Sequence, residues 1–184
     1  MGTANPPTII NPVLTSHSVS ATIVSLAFNG LVRLDADGKV VPSLAKEWTV
    51  SEDGLEYTFY LYKNIKFHDG VELTARDVQF TYNVMLDDDN ACPWKSDVEA
   101  IERVEIVNDY TVKFVLKERF PNMLHKLVRE IIPEHLWRNA KLRQSELNYR
   151  PIGTGPFKFK EWNKDNNTII LTANKNYFEG RPYL

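Results

Sequence analysis

The chain has 184 residues, 43% hydrophobic and 25% charged, with a formal net charge of -2. That balance suits one globular domain, or two small ones, with a sizeable core, and it excludes a global electrostatic pull toward nucleic acid or acidic lipid. No apolar run approaches the roughly 20 residues of a membrane span, and the single cysteine, Cys92, allows neither an internal disulfide nor a CxxC metal site.

The opening Met1-Gly2-Thr3-Ala4-Asn5-Pro6-Pro7 lacks the basic and apolar segments of a signal peptide and reads as the start of a trimmed chain. Pro and Asn predict extended backbone to about Pro12. A helix is expected next, capped by Ser16 or Ser18, carrying Val19, Ile23 and Leu26 at helical spacing and ending at Asn29-Gly30. Leu31 to Leu34 and Lys39 to Val41 flank Asp35-Ala36-Asp37-Gly38 as a hairpin. Trp48 to Val50 and Glu56 to Tyr62 flank Ser51-Glu52-Asp53-Gly54 as a second. In that last strand Tyr57, Phe59 and Leu61 share one face and Thr58, Tyr60 and Tyr62 the other, which predicts cover on both sides.

Phe67-His68-Asp69-Gly70 is a turn, and Thr74-Ala75-Arg76-Asp77 opens a helix as a capping box with Asp in place of Glu. Val78, Tyr82 and Met85 form its buried stripe, and it should stop near Asp87-Asp88-Asp89-Asn90. Glu102 to Val107 and Tyr110 to Leu116 pair across Asn108-Asp109. Pro121 and Pro133 suit first helical turns, which predicts short helices at about 121–129 and 133–139. Gly153-Thr154-Gly155-Pro156 breaks the chain before a final hairpin, 157–160 with 168–172. These glycines lack the Gly-Lys-Ser/Thr ending of a phosphate loop and read as a tight crossing. Hairpins interleaved with helices indicate a mixed α+β fold rather than a regular βαβ array.

Four segments in order carry a resemblance. Val41-Pro42-Ser43-Leu44-Ala45-Lys46-Glu47-Trp48, Ser51-Glu52-Asp53-Gly54 with Tyr57-Thr58-Phe59, Phe67-His68-Asp69-Gly70 with Thr74 to Val78, and Gly153-Thr154-Gly155-Pro156-Phe157 with Trp162 and Asn174 to Tyr177 are each weak alone. Together they resemble the family 5 extracellular solute-binding proteins of oligopeptide, dipeptide and nickel importers. The resemblance implies a partial, periplasmic binding protein type II-like fold: about 1–42 and 151–184 belong to the first lobe, and 43–150 to a subdomain packed on it. Family members are longer and hold ligand between two lobes, so the second lobe is expected to be absent from this chain. The implied role is the substrate-binding component of an ABC importer. It would capture a peptide or related small solute outside the cytoplasmic membrane, in the periplasm or on a lipid anchor, and deliver it to the permease. No cofactor and no catalysis are implied.

Such a protein must grip a solute without reacting with it. The stretch Thr15-Ser16-His17 is one candidate ligand contact, because a helix N-terminus offers free N–H groups and a positive dipole end to an anion; plain N-capping is the alternative. Trp94 is another, with a flat apolar wall and one N–H donor, and Lys95 could add charge beside it; Trp94 could equally pin its own loop. Trp48, Trp162 and Tyr177 read as structural anchors. Of the four histidines, His68 should bond locally with Asp69 or backbone, and none shows metal-ligand spacing; the Asp87-Asp88-Asp89 run lacks the EF-hand pattern. A small hydrolase using His68 with Asp69, or Glu134 with His135, is a competing reading without a visible nucleophile. A ligand-sensing module on the same scaffold is a third.

Overall fold

The computed structural model describes residues 7–183; the extended backbone expected of Met1–Pro6 lies outside the described residues. Helix α1 spans Ser18–Ala27 and leads into the hairpin of β1 (Val32–Leu34) and β2 (Val40–Pro42). Strands β3 (Ala45–Val50), β4 (Glu56–Leu61), β5 (Ile101–Asn108) and β6 (Thr111–Leu116) form one antiparallel sheet in the order β3-β4-β6-β5. Between β4 and β5 run α2 (Ala75–Leu86) and the single turn α3 (Lys95–Val98). The single turns α4 (Met123–Lys126) and α5 (Glu134–Trp137) precede the closing hairpin of β7 (Phe157–Asn163) and β8 (Thr168–Ala173).

Alternating apolar residues make one face of the sheet, and α2 covers it. Phe59 and Phe114 meet edge to face at 5.6 Å between ring centres, and Tyr82 of α2 meets Phe114 at 4.8 Å. All three rings are fully buried, as are Val78 and Met85 on the expected stripe. The capping box at the start of α2 forms: the Thr74 N–H donates to Asp77 at 2.8 Å, and the Arg76 N–H to the Thr74 hydroxyl at 3.3 Å. Asp77 also accepts the Glu134 N–H at 2.9 Å, which fastens α5 to the start of α2. Burial pushes the Asp77 carboxyl up, against those hydrogen bonds, which pull it down.

Several local expectations are corrected. Neither Ser16 nor Ser18 caps α1. His17 occupies the cap position, because the Thr15 hydroxyl takes the His17 N–H at 3.3 Å and ends a preceding turn there. The buried face of α1 is Ser20, Val24 and Ala27 rather than Val19, Ile23 and Leu26, which are half-buried. The 153–155 backbone crosses the end of that face at Ala27: the Gly155 N–H donates to the Ala27 carbonyl at 2.9 Å. A Cβ on Gly155 would lie 2.5 Å from backbone atoms of Leu26 and Ala27. Neither Gly153 nor Gly155 has a positive φ, so the demand on them is for space.

Only one face of β4 is fully covered. Thr58 and Tyr60 are half-buried and Tyr62 is 44% exposed, because this face is flanked by polar neighbours: Thr49 and Lys113 oppose Thr58, and Glu47 and Thr111 oppose Tyr60. The 121–129 and 133–139 helices shrink to single turns. Asn122 takes a left-handed φ of 63°, which stops a helix from starting at Pro121, and Pro133 sits at the cap of α5 with extended ψ rather than in its first turn.

Candidate ligand-binding site

The segment before α1 is built around Asn11, which is 1% exposed. Its carboxamide oxygen accepts the Val13 N–H at 3.0 Å, and its carbonyl accepts the Leu14 and Thr15 N–H groups at 3.1 and 2.9 Å. Its amide nitrogen donates to Asn148 at 3.0 Å, and the Asn148 carbonyl accepts the Ile10 N–H at 2.8 Å. An asparagine that mimics a backbone turn therefore folds residues 11–15, with a second buried asparagine as its anchor. The Asn11-Pro12 pair was the available signal, since Asn before Pro favours turn initiation.

This turn delivers Thr15, Ser16 and His17 to the start of α1 in different states. Thr15 is buried, with its hydroxyl engaged internally. Ser16 is exposed. His17 is half-buried, and its Nδ1 is buried without a hydrogen-bond partner among the described residues. No side chain caps α1 and no acidic residue lies in its first turn, so its positive end is not neutralised locally.

Trp94 is brought to this segment from 82 residues away: its indole N–H donates to the Pro12 carbonyl at 3.1 Å. The Arg129 guanidinium lies 3.9 Å from the centre of the indole ring. Asp97 accepts from Arg129 at 2.5 Å and from Lys126 at 2.7 Å. Burial pushes the Asp97 carboxyl up, but the two cationic donors prevail and hold it below the usual carboxylate range. Lys95 is not gathered to the same point; it pairs with Asp88. The loop between α2 and Trp94 is held by Arg143, which donates to the Asn90 and Ala91 carbonyls at 3.0 and 2.6 Å. Cys92 in that loop is buried, and burial pushes its thiol up, away from a reactive thiolate.

The histidine pairings differ from the sequence neighbours. His68 does not bond with Asp69. Its Nδ1 accepts the Gly153 N–H at 3.3 Å and its Nε2 donates to the Gly155 carbonyl at 3.0 Å, which defines a neutral ring clamped to the glycine crossing. Burial pushes its pKa down, in keeping with that state. Asp69 pairs instead with His135 at 2.8 Å, and Glu134 pairs with Arg138 at 3.0 Å. Neither pairing imagined for a hydrolase is therefore formed, and both ring nitrogens of His68 are occupied by backbone. Among the described residues, no group of three or more His, Cys, Asp or Glu could hold a metal ion, and no helix is long and apolar enough to cross a membrane.

Residues 39–184 match the family described as "Bacterial extracellular solute-binding proteins, family 5 Middle". The chain belongs to the family 5 solute-binding proteins. Among curated family members, it is 40% identical over 190 residues to the oligopeptide-binding protein AppA of Bacillus subtilis, covering 100% of this chain and 35% of that protein. The structure of AppA in complex with a nonapeptide superposes with a TM-score of 0.93 at 39% identity, over 99% of this chain and 37% of that one. NikZ of Campylobacter jejuni in complex with Ni(L-His) gives 0.88 at 34% identity, over 96% and 35%. The chain thus spans about a third of the length of the family 5 relatives it matches, and the mixed α/β fold is that of family 5 periplasmic binding proteins.

Proposed function

We propose that these residues form one side of a cleft in the substrate-binding component of an ABC importer. The component captures a peptide or related small solute outside the cytoplasmic membrane and hands it to the permease. The reading rests on family membership and on one feature of the fold: the turn built on Asn11 leads into the uncapped start of α1, and the indole of Trp94 is bonded to that turn at Pro12. A helix start without an acidic neighbour favours an anionic group, such as a peptide carboxylate, and an indole wall suits an apolar side chain.

In this reading Ser16, His17 and the exposed surface of Trp94 face ligand. Thr15 shapes the turn from inside, and Lys95 contributes less because Asp88 holds it. Residues 1–42 and 151–184 belong to a first lobe and 43–150 to a subdomain packed on it. The Gly155–Ala27 crossing ties the two segments of the lobe to each other, and the His68 clamp on Gly153 and Gly155 is a joint between lobe and subdomain. Binding without turnover is supported by His68 having both ring nitrogens on backbone and by Cys92 being buried.

Titration calorimetry with a tripeptide library, on the full-length protein that contains these residues, tests the reading. Micromolar or tighter binding is expected, with Trp94→Ala weakening it by about tenfold, as a buried aromatic anchor does. The 184-residue chain alone should bind far more weakly, because a single side of a cleft supplies little of the desolvation and contact that closure brings. Absence of affinity for peptides in the full-length protein, or equal affinity in the short chain, counts against it.

A further inference from the structure

Trp94 stands on the α2–α3 connection, and among the described residues its polar link to the turn before α1 is the Pro12 carbonyl. That link requires the indole to lie in one plane, and the side chain that fixes the plane comes from a third segment. The guanidinium of Arg129 is stacked 3.9 Å from the indole centre. Arg129 is in turn oriented by Asp97, which it meets at 2.5 Å, and Asp97 is shared with Lys126 at 2.7 Å. The Arg129 side chain is 22% exposed and that of Asp97 17%, so neither is a freely solvated surface charge. Among the described residues the Arg129 Nε is buried without a hydrogen-bond partner, so the ion pair leaves part of the guanidinium unsatisfied, and the guanidinium lies over the ring.

We propose that Arg129 is a positioning residue for the solute site: through Trp94 it fixes the Pro12–His17 turn, so that the segment proposed to face ligand is set before ligand arrives. The inference rests on the solute-binding reading for its functional consequence, but not for its structural content. The chain of contact runs Lys126 and Arg129 to Asp97, Arg129 to Trp94, and Trp94 to Pro12. Each step is a specific interaction, and no step involves the ligand. A lysine cannot replace Arg129, because an ammonium lacks the planar face that both stacks on the ring and reaches the carboxylate. Pre-ordering of this kind raises affinity by removing the ordering cost at the moment of binding.

Amide hydrogen exchange on the unliganded chain tests the structural content. Arg129→Met and Arg129→Lys should each raise exchange at Val13 to His17 by about tenfold, while amides of the central sheet stay unchanged. Trp94→Ala should do the same. The decisive comparison is the double variant: in the Trp94→Ala background, Arg129→Met should add nothing to exchange in this turn, because Arg129 acts through the indole. An additive effect, or a turn that stays protected in Arg129→Met, overturns the proposal. A uniform rise over the whole chain marks a merely structural role and also overturns it.

In the full-length protein, Arg129→Met should weaken binding of a tripeptide by roughly the factor by which the turn is loosened. A loosened turn with unchanged peptide affinity overturns the positioning role while leaving the solute-binding reading intact. A wild-type protein with no peptide affinity overturns that reading while the exchange result still stands.

Discussion

Replacing Gly155 with alanine is the sharpest test of how the two ends of the chain are joined. The added Cβ would meet the Ala27 carbonyl carbon and the Leu26 carbonyl oxygen at 2.5 Å and the Ala27 oxygen at 2.8 Å. These are backbone atoms of α1 and cannot rotate aside. Reaching ordinary carbon contact of about 3.5 Å requires the two backbones to part by roughly 1 Å. That movement breaks the 2.9 Å hydrogen bond from Gly155 N–H to the Ala27 carbonyl. It also strains the His68 bond to the Gly155 carbonyl at 3.0 Å. Overpacking costs about 1–3 kcal/mol and a lost backbone hydrogen bond about 1 kcal/mol, so a loss of roughly 2–4 kcal/mol is expected. For a chain of this size that corresponds to a fall in Tm of roughly 10 °C.

Urea unfolding followed by circular dichroism measures the loss directly. Gly38→Ala is the control: its φ is +76° and its Cβ would meet nothing within 4 Å, so only the backbone penalty of about 1–2 kcal/mol applies. If Gly155→Ala unfolds within about 0.5 kcal/mol of the parent, or costs less than Gly38→Ala, the close-crossing argument fails.

Three further outcomes follow from the same contacts. Asp77→Ala removes the capping box and orphans the Glu134 N–H, so it should cost about 2–4 kcal/mol in urea unfolding and loosen exchange in both α2 and α5. His68 is held neutral with its pKa pushed below the ordinary 6.5. The folded chain therefore binds fewer protons than the unfolded one, and this stability is complete above about pH 6.5 and lost as pH falls through the folded value. Stability measured from pH 7.5 to 5 should fall less steeply in His68→Gln than in the parent, and parallel curves would contradict the clamp. Cys92 should react with a thiol reagent at pH 8 at least about tenfold more slowly in the folded chain than in urea, because the thiol is buried and its ionisation suppressed.

What the sequence disclosed and what it hid separate along physical lines. Local patterns reported themselves: the period-2 strands, the Thr74–Asp77 capping box and the Val78, Tyr82, Met85 stripe depend on neighbours a few residues apart, and each forms. Features set by distant backbone did not. The buried face of α1 is Ser20, Val24 and Ala27, with residues 153–155 crossing its end at Ala27, and a search for bulky apolar spacing selects a half-buried stripe instead. His68 bonds across more than eighty residues to the glycine crossing rather than to adjacent Asp69. At the candidate site, residue types suggested Trp94 and the start of α1, but not the Asn11–Asn148 pair that builds the turn or the Arg129 stack that fixes the indole, since both are long-range. Lys95 reads in the sequence as added charge beside Trp94, the lesser of the two candidates, and it pairs with Asp88 instead.

In the proposed reading these residues help to hold a solute and leave it unaltered. Native mass spectrometry of the full-length protein after incubation with a defined mixture of short peptides tests this in one measurement. A one-to-one complex is expected, and the peptide released from it has its original mass. Peptides returned as fragments, or a protein that retains none of them, would contradict it.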